Sequence, residues 1–188
     1  MYVAKDYDNL LGLNGLTDTI LKNHFTLYQG YVNNLNKILD TLSKLDLSSI
    51  EYAELKRRLG WEFNGMKLHE LFFENLSKDS NSLNSNLILK ELIDNQYGSF
   101  ENFEKEFKAI SLMRGIGWAI LYLDPLQKKL INVWINEHDV GHLADCIPLI
   151  VIDLFEHAYM LDYGLRKVDY VNNIFKAIDW SVVEKRLK

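Results

Sequence analysis

The first half of the chain repeats apolar residues with the period of an α-helix. From Thr17 onward, positions recur at steps of three and four, which predicts one long helix capped by Thr17 or Asp18. This stripe contains Ile20, His24, Leu27, Tyr28, Tyr31, Leu35, Ile38 and Leu42. A second stripe at 52–76 predicts another helix, in which Gly60 and Gly65 could mark a bend or close packing. Two long helices with a short polar connection indicate an antiparallel helical hairpin.

A polar stretch separates this hairpin from the rest of the chain. Residues 77–86 are rich in Ser and Asn and are the best candidate linker, so we place a domain boundary near residue 82. The predicted units are an N-terminal helical hairpin domain at 1–82 and a C-terminal α/β domain at 83–188. Two shorter helices should open the second unit, the second of them with Ser99 as its N-cap.

The pattern then changes to short apolar runs that are typical of β-strands. The three runs are Trp118–Leu123, Leu130–Ile135 and Ile147–Asp153. They predict one antiparallel sheet with the last strand buried, and helical pattern returns after His157. The predicted fold class is α+β: an N-terminal antiparallel helical hairpin followed by a mixed α/β domain with a small three-stranded antiparallel sheet.

Composition and charge narrow the functional class. The chain has 188 residues, 48% of them hydrophobic, and a net charge of -5 without any long basic run, which argues against nucleic acid as a partner. The longest apolar run, about 147–152, is too short to span a bilayer, so no membrane role is expected. The single cysteine, Cys146, excludes an intrachain disulfide, and the first ten residues lack a signal-peptide pattern. We therefore expect a cytoplasmic protein.

Candidate chemistry centres on histidines and one aspartate. His24 and His69 lie within apolar helix stripes, where an imidazole must be hydrogen-bonded, ligated or exposed. Asp153 closes an apolar strand, and His157 follows four residues later. A carboxylate in that position is costly unless it is paired or metal-bound, although it could also cap the helix that follows. Such a mixed nitrogen and oxygen set suits iron, manganese or zinc.

Four segments resemble the iron/manganese superoxide dismutases. The segment from Asp153 to Tyr163, DLFEHAYMLDY, resembles that family's signature D-x-W-E-H-A-Y-x-x-x-Y. The other three are Tyr31–Asn36, which is similar to Y-V-x-N-L-N, Gly115–Trp118, which is similar to G-S-G-W, and Asn64–Phe73, which resembles the second-helix ligand segment. They occur in the family's order across about residues 16–187.

The resemblance implies one metal ion held by His24, His69, Asp153 and His157. His24 departs from the family pattern, because it lies seven rather than eight residues before Tyr31. Seven residues are close to two helical turns, so both side chains still face one side. Tyr31 would then be the gateway tyrosine beside the metal, with Tyr28 as the competing candidate.

Other positions receive roles through the same resemblance. A family glutamine that hydrogen-bonds metal-bound solvent is absent from its helix position, Gly65, and His138 would replace it from the sheet. His138 and His142 could instead form a separate metal pair. Lys167 would attract anionic superoxide into a funnel, and Glu156 would pair with a ligand histidine across a dimer interface.

The implied activity is disproportionation of superoxide to oxygen and hydrogen peroxide. The resemblance implies one iron ion per subunit, with manganese as the alternative, in a homodimer that could associate into a tetramer. Phe155 replaces the tryptophan of the family signature, and Met160 replaces a tyrosine whose hydroxyl the family uses near the subunit interface. Because of these changes, the alternative is a dismutase-like metal-binding protein with little or no turnover.

Overall fold

The chain opens with the predicted helical hairpin. The computed structural model describes residues 1–80 and 88–187. Helix α1, Asp18–Leu42, begins where the Thr17 hydroxyl accepts a hydrogen bond from the Ile20 amide. Helix α2, Ile50–Glu74, is capped by Ser49 and runs through both of its glycines without a break.

Two shorter helices follow the hairpin, as predicted. They are α3, Ile88–Tyr97, and α4, Phe100–Ser111, and the Ser99 side chain caps α4 by accepting from the Asn102 amide. The predicted domain boundary near residue 82 lies outside the described residues, so the division at that point stays a prediction.

A three-stranded antiparallel sheet forms the centre of the second half. The strands are β1, Trp118–Asp124, β2, Lys129–Ile135, and β3, Ile147–Asp153, in the order β2-β1-β3. The central strand β1 is buried along nearly its whole length. Its register places Trp118 opposite Ile135 on one side and opposite Asp153 on the other. The fold class and the antiparallel sheet are therefore confirmed.

Short helices complete the chain after a 3-10 turn at Glu156–Ala158. They are α5, Met160–Tyr163, α6, Lys167–Lys176, and α7, Trp180–Lys185. Helix α2 packs against β3, and α1 packs against the 3-10 turn, so the hairpin lies directly on the end of the sheet. Within the described ranges, every helix is too short or too polar to cross a membrane.

Candidate metal centre

Four side chains from four elements meet where the hairpin contacts the end of β3. They are His24 of α1, His69 of α2, Asp153 of β3 and His157 of the 3-10 turn. The Nε2 atoms of His24 and His157 lie 3.1 and 3.2 Å from Oδ2 of Asp153. Nε2 of His69 lies 3.5 Å from the same oxygen, and all four donor atoms lie within 4.8 Å of one another. The structure thus brings together the four residues named from the sequence.

The local folds fix two of these side chains. Oδ1 of Asp153 accepts the Phe155 amide at 2.8 Å, and the Asp153 carbonyl accepts the Tyr170 hydroxyl at 2.7 Å. These bonds aim Oδ2 at the histidines. In α2, Nδ1–H of His69 donates to the Gly65 carbonyl at 2.6 Å, because a carbonyl oxygen can only accept.

That hydrogen bond leaves His69 with an unprotonated Nε2. This buried atom has no hydrogen-bond partner among the described residues, and it faces the Asp153 carboxylate. A lone pair opposite a carboxylate oxygen is unfavourable unless a cation lies between them. Ligand atoms about 2.0–2.2 Å from one ion are separated by about 3–4 Å, which matches the three distances from the imidazole nitrogens to Oδ2 of Asp153. The donor set therefore fits a single metal ion.

Burial and the neighbouring charges set the protonation states of His24, His69 and Asp153. Desolvation lowers the pKa of His69 to about 3 and also lowers the pKa of His24, so both rings are neutral near pH 7. For Asp153, burial alone would raise the pKa. The charges and hydrogen bonds of His157 and His24 outweigh burial and hold that pKa well below its ordinary value. Two neutral imidazoles beside an ionised carboxylate are in the protonation states that bind a metal.

Next to this group, Tyr31 is joined to His138. The Tyr31 ring centroid lies 5.0 Å from that of His69, and its hydroxyl lies 2.8 Å from Nε2 of His138. The Trp118 indole N–H donates to Nδ1 of His138 at 3.0 Å. Since an indole can only donate, the proton of neutral His138 is on Nε2, which donates to the Tyr31 oxygen.

Comparisons with known proteins agree with this geometry. The family model described as iron/manganese superoxide dismutases, C-terminal domain, matches residues 85–186, more than half of the chain. The iron superoxide dismutase of Pyrobaculum aerophilum is 35% identical over 88% of this chain and 80% of its own length. The chain belongs to the iron/manganese superoxide dismutase family.

Other family members match over comparable lengths. The iron superoxide dismutase of Aquifex pyrophilus is 35% identical over 98% of this chain and 90% of its own length. The manganese superoxide dismutase of Haloarcula marismortui is 33% identical over 84% of this chain and 78% of its own length. Membership confirms the predicted enzyme class and metals, and it does not favour the alternative of a binding protein without turnover.

The two tyrosines that the sequence left as alternatives have different surroundings. The Tyr28 hydroxyl donates to Glu70 Oε1 at 3.0 Å and accepts the Lys5 amide. The Tyr31 ring instead packs against both His69 and His138. Of the two tyrosines, Tyr31 is therefore the one that contacts both a ligand candidate and His138.

Gly65 not only lacks the glutamine side chain of the family but also allows Tyr31 to pack closely on α2. A Cβ atom at this position would lie 2.5 Å from Cδ1 and 2.7 Å from Cε1 of Tyr31, closer than real contacts allow. The phenol ring therefore packs directly on the backbone of α2. The sequence suggested close packing at Gly65 but did not identify its partner, since nothing in the helix period links it to α1.

The structure also describes the surroundings of the two remaining site candidates, Lys167 and Glu156. Lys167 is half-buried, and its Nζ donates to the carbonyls of Met113 and Gly115 at 3.1 and 3.4 Å. Burial lowers its pKa from the ordinary lysine value. Glu156 is exposed, and it precedes His157, whose side chain is 32% exposed while the other three ligand candidates are buried.

Sequence reasoning missed the aromatic surroundings of His138. The Trp61 ring lies 4.5 Å from the His138 ring, and its indole N–H donates to Glu137. Trp118 was identified as the start of a predicted strand and as part of a family motif, but its hydrogen bond to His138 was not predicted. Both contacts join segments that are distant in the sequence, and no local pattern reports them.

Proposed function

We propose that this protein disproportionates superoxide to oxygen and hydrogen peroxide at one iron ion, with manganese as the alternative metal. The ligands are His24, His69, Asp153 and His157. The observation that carries this proposal is the convergence of three imidazole Nε2 atoms on one buried carboxylate oxygen, with the His69 lone pair otherwise unpartnered. Family membership supports the substrate.

The bound ion supplies the one-electron chemistry that oxidises one superoxide to oxygen and reduces the next to peroxide. The protein supplies the charge and geometry. Asp153 places a full negative charge in a buried site and so favours a cation there. The Gly65 carbonyl fixes the His69 tautomer and ring orientation, which keeps Nε2 directed at the site.

We propose that Tyr31 donates a proton during turnover and that His138 holds its hydroxyl in place. Reduction of superoxide to hydrogen peroxide consumes two protons, so a donor must lie close to the substrate. Because Nε2–H of His138 donates to the Tyr31 oxygen, the phenol keeps its own proton free to donate elsewhere. Burial raises the pKa of Tyr31, so this proton is retained at neutral pH. Burial also lowers the pKa of His138 to about 4, so its ring stays neutral.

We assign Lys167 to the substrate funnel. Its two carbonyl contacts hold a positive charge beside the segment that leads into Trp118. In a chain of net charge -5, a fixed cation near the site raises the local concentration of an anionic substrate. Exchange of Lys167 for glutamine should lower kcat/KM at low salt and reduce its salt dependence.

The surface around Glu156 supports a homodimer. His157 would be an unusually exposed metal ligand in a monomer, and apolar side chains of Met160, Leu161 and Leu165 are exposed in the same stretch of chain. A second copy seated here would cover the ligand and place its Glu156 against His157.

Light scattering should give twice the chain mass, and Glu156→Ala should shift the protein toward monomer. A mass of four chains would indicate paired dimers, whereas a wild-type monomer would contradict this arrangement.

We also propose a cytoplasmic location, supported by a single cysteine that permits no intrachain disulfide.

The central test is metal reconstitution. Protein purified without added metal is analysed for its metal content, stripped, and reloaded separately with iron and with manganese. We expect one ion per chain and removal of superoxide by at least one form. Full occupancy with no activity in either form would contradict the proposed function and favour a metal-binding role.

A further inference from the structure

His138 is held in place without the support of regular secondary structure. It is fully buried, yet residues 136–146 form neither helix nor strand. Two residues of this connection, Gly141 and Asp145, have positive φ angles of 82° and 60°. Such a connection has few backbone ladder bonds to fix it, so side-chain bonds must set the position of His138.

His142 provides such a bond to the backbone of His138. Its Nε2 lies 2.7 Å from the His138 carbonyl oxygen. Because a carbonyl only accepts, Nε2 carries the proton and Nδ1 of the neutral ring is an acceptor. The Tyr122 hydroxyl lies 2.7 Å from that Nδ1 and donates to it. Burial raises the pKa of Tyr122 to about 12, which keeps this hydroxyl protonated.

Both anchors of His138 therefore originate on the central strand β1. Trp118 holds the imidazole ring directly, and Tyr122 holds the main chain through His142. The two anchors are four residues apart, which places them on the same face of a strand. The ring and the backbone of one residue are thus fixed to one rigid element, which is the arrangement that a finely positioned site requires.

We propose that His142, held by Tyr122, is a positioning residue that sets the His138 ring against the Tyr31 hydroxyl during superoxide turnover. The inference rests on the proposed function, because that function is what gives His138 and Tyr31 a role in proton supply. It also replaces the alternative of a His138–His142 metal pair. The Nδ1 lone pair of His142 is already taken by a hydroxyl, and that of His138 is taken by an indole.

Three variants test whether the two hydrogen bonds of His142 position His138. His142→Leu removes both hydrogen bonds, whereas His142→Gln keeps one amide N–H for the carbonyl and one oxygen for the hydroxyl. Tyr122→Phe removes only the outer bond. Its matched control is Tyr97→Phe, which deletes a hydroxyl that accepts from Asn132 on the outer strand β2.

The first readout needs neither metal nor activity. In the metal-free protein, solvent exchange of the Trp118 indole N–H is followed by NMR, with its signal assigned by comparison with Trp118→Phe. We expect His142→Leu to speed this exchange about tenfold, because the connection opens locally and the ring moves away from the indole. His142→Gln and Tyr97→Phe should stay near wild type, and Tyr122→Phe should fall between.

The second readout uses the iron-loaded enzyme. We expect His142→Leu to keep its full metal content, to lose roughly 10- to 100-fold in kcat and to shift in reduction potential. His142→Gln should restore both kcat and the reduction potential. Unchanged indole exchange and unchanged potential in folded His142→Leu and Tyr122→Phe would overturn the proposal. An inactive wild type would instead contradict the proposed function, while the metal-free NMR result would still decide whether His142 positions His138.

Discussion

A single oxygen atom, Oδ2 of Asp153, is the point on which three imidazoles converge. This oxygen is fully buried, and the hydrogen bonds and charges of His157 and His24 hold Asp153 in its ionised form. A buried anionic oxygen surrounded by imidazole nitrogens should bind a metal ion tightly. Removal of the charge should therefore weaken both metal binding and folding.

We expect Asp153→Asn to lose metal affinity by roughly 100-fold or more and to lower the Tm of the metal-free protein, because the lowered pKa of Asp153 means that its ionised form stabilises the fold. The amide keeps the shape of the side chain but removes the charge. Metal analysis and thermal unfolding of the stripped protein measure the two effects. Asp169→Asn makes the same chemical change at an exposed ion pair with Arg166 and should alter neither quantity. A metal-replete Asp153→Asn would be incompatible with the proposed ligand set.

Gly65→Ala should displace Tyr31 and destabilise the protein. The added methyl group gains up to about 1 kcal/mol of helix propensity, but overpacking against the phenol costs about 1–3 kcal/mol. Gly60→Ala in the same helix is the matched control, because its Cβ would meet only an ordinary contact at 4.0 Å. Urea unfolding should show a loss for Gly65→Ala and a gain for Gly60→Ala. Equal stability of the two variants would contradict the close packing of Tyr31 against Gly65.

The helices and strands followed from local pattern, but their contacts did not. The apolar stripe and Thr17 predicted α1, and the β-branched run that ends at Asp153 predicted β3, because both depend on periods within one segment. The register that sets Trp118 beside Asp153 depends on pairing between segments, which no single segment encodes. The ligand candidates, which also lie in distant segments, could be named because the sequence resembles a known family, whereas no resemblance pointed to the hydrogen bonds that anchor His138.

The first turn of α1 is tied to α5 as well as capped. The Thr17 hydroxyl accepts the Ile20 amide and donates to Oδ1 of Asp162, while its own amide donates to Oδ2. Thr17→Ala should therefore cost more than the roughly 1 kcal/mol of a lost cap alone. Ser49→Ala removes only the cap of α2 and is the control. Equal losses in chemical denaturation would mean that the hydrogen bond from the Thr17 hydroxyl to Asp162 adds no stability.

Taken as a whole, the molecule joins its two halves through the proposed metal centre. Two of the ligand candidates come from the hairpin, one from the end of β3 and one from the 3-10 turn that follows it, so a bound ion links segments that are distant in the chain. Anything that binds only the folded state stabilises it by mass action.

Loading with iron or manganese should therefore raise Tm, and stripping should lower it. A metal concentration about 100 times Kd stabilises by about 2.7 kcal/mol. Calorimetry with and without a chelator measures the difference. The Asp153→Asn protein should show no such response, and an equal response in that variant would place the stabilising ion elsewhere.

The separation of the ligands along the chain also bears on biosynthesis. His24 and His69 leave the ribosome well before Asp153 and His157 are made, and a two-histidine fragment offers neither the anionic oxygen nor the third imidazole. A growing chain thus cannot complete the coordination set. Capture of the correct ion must therefore wait until His157 has been made, and it depends on the metals available from that moment on.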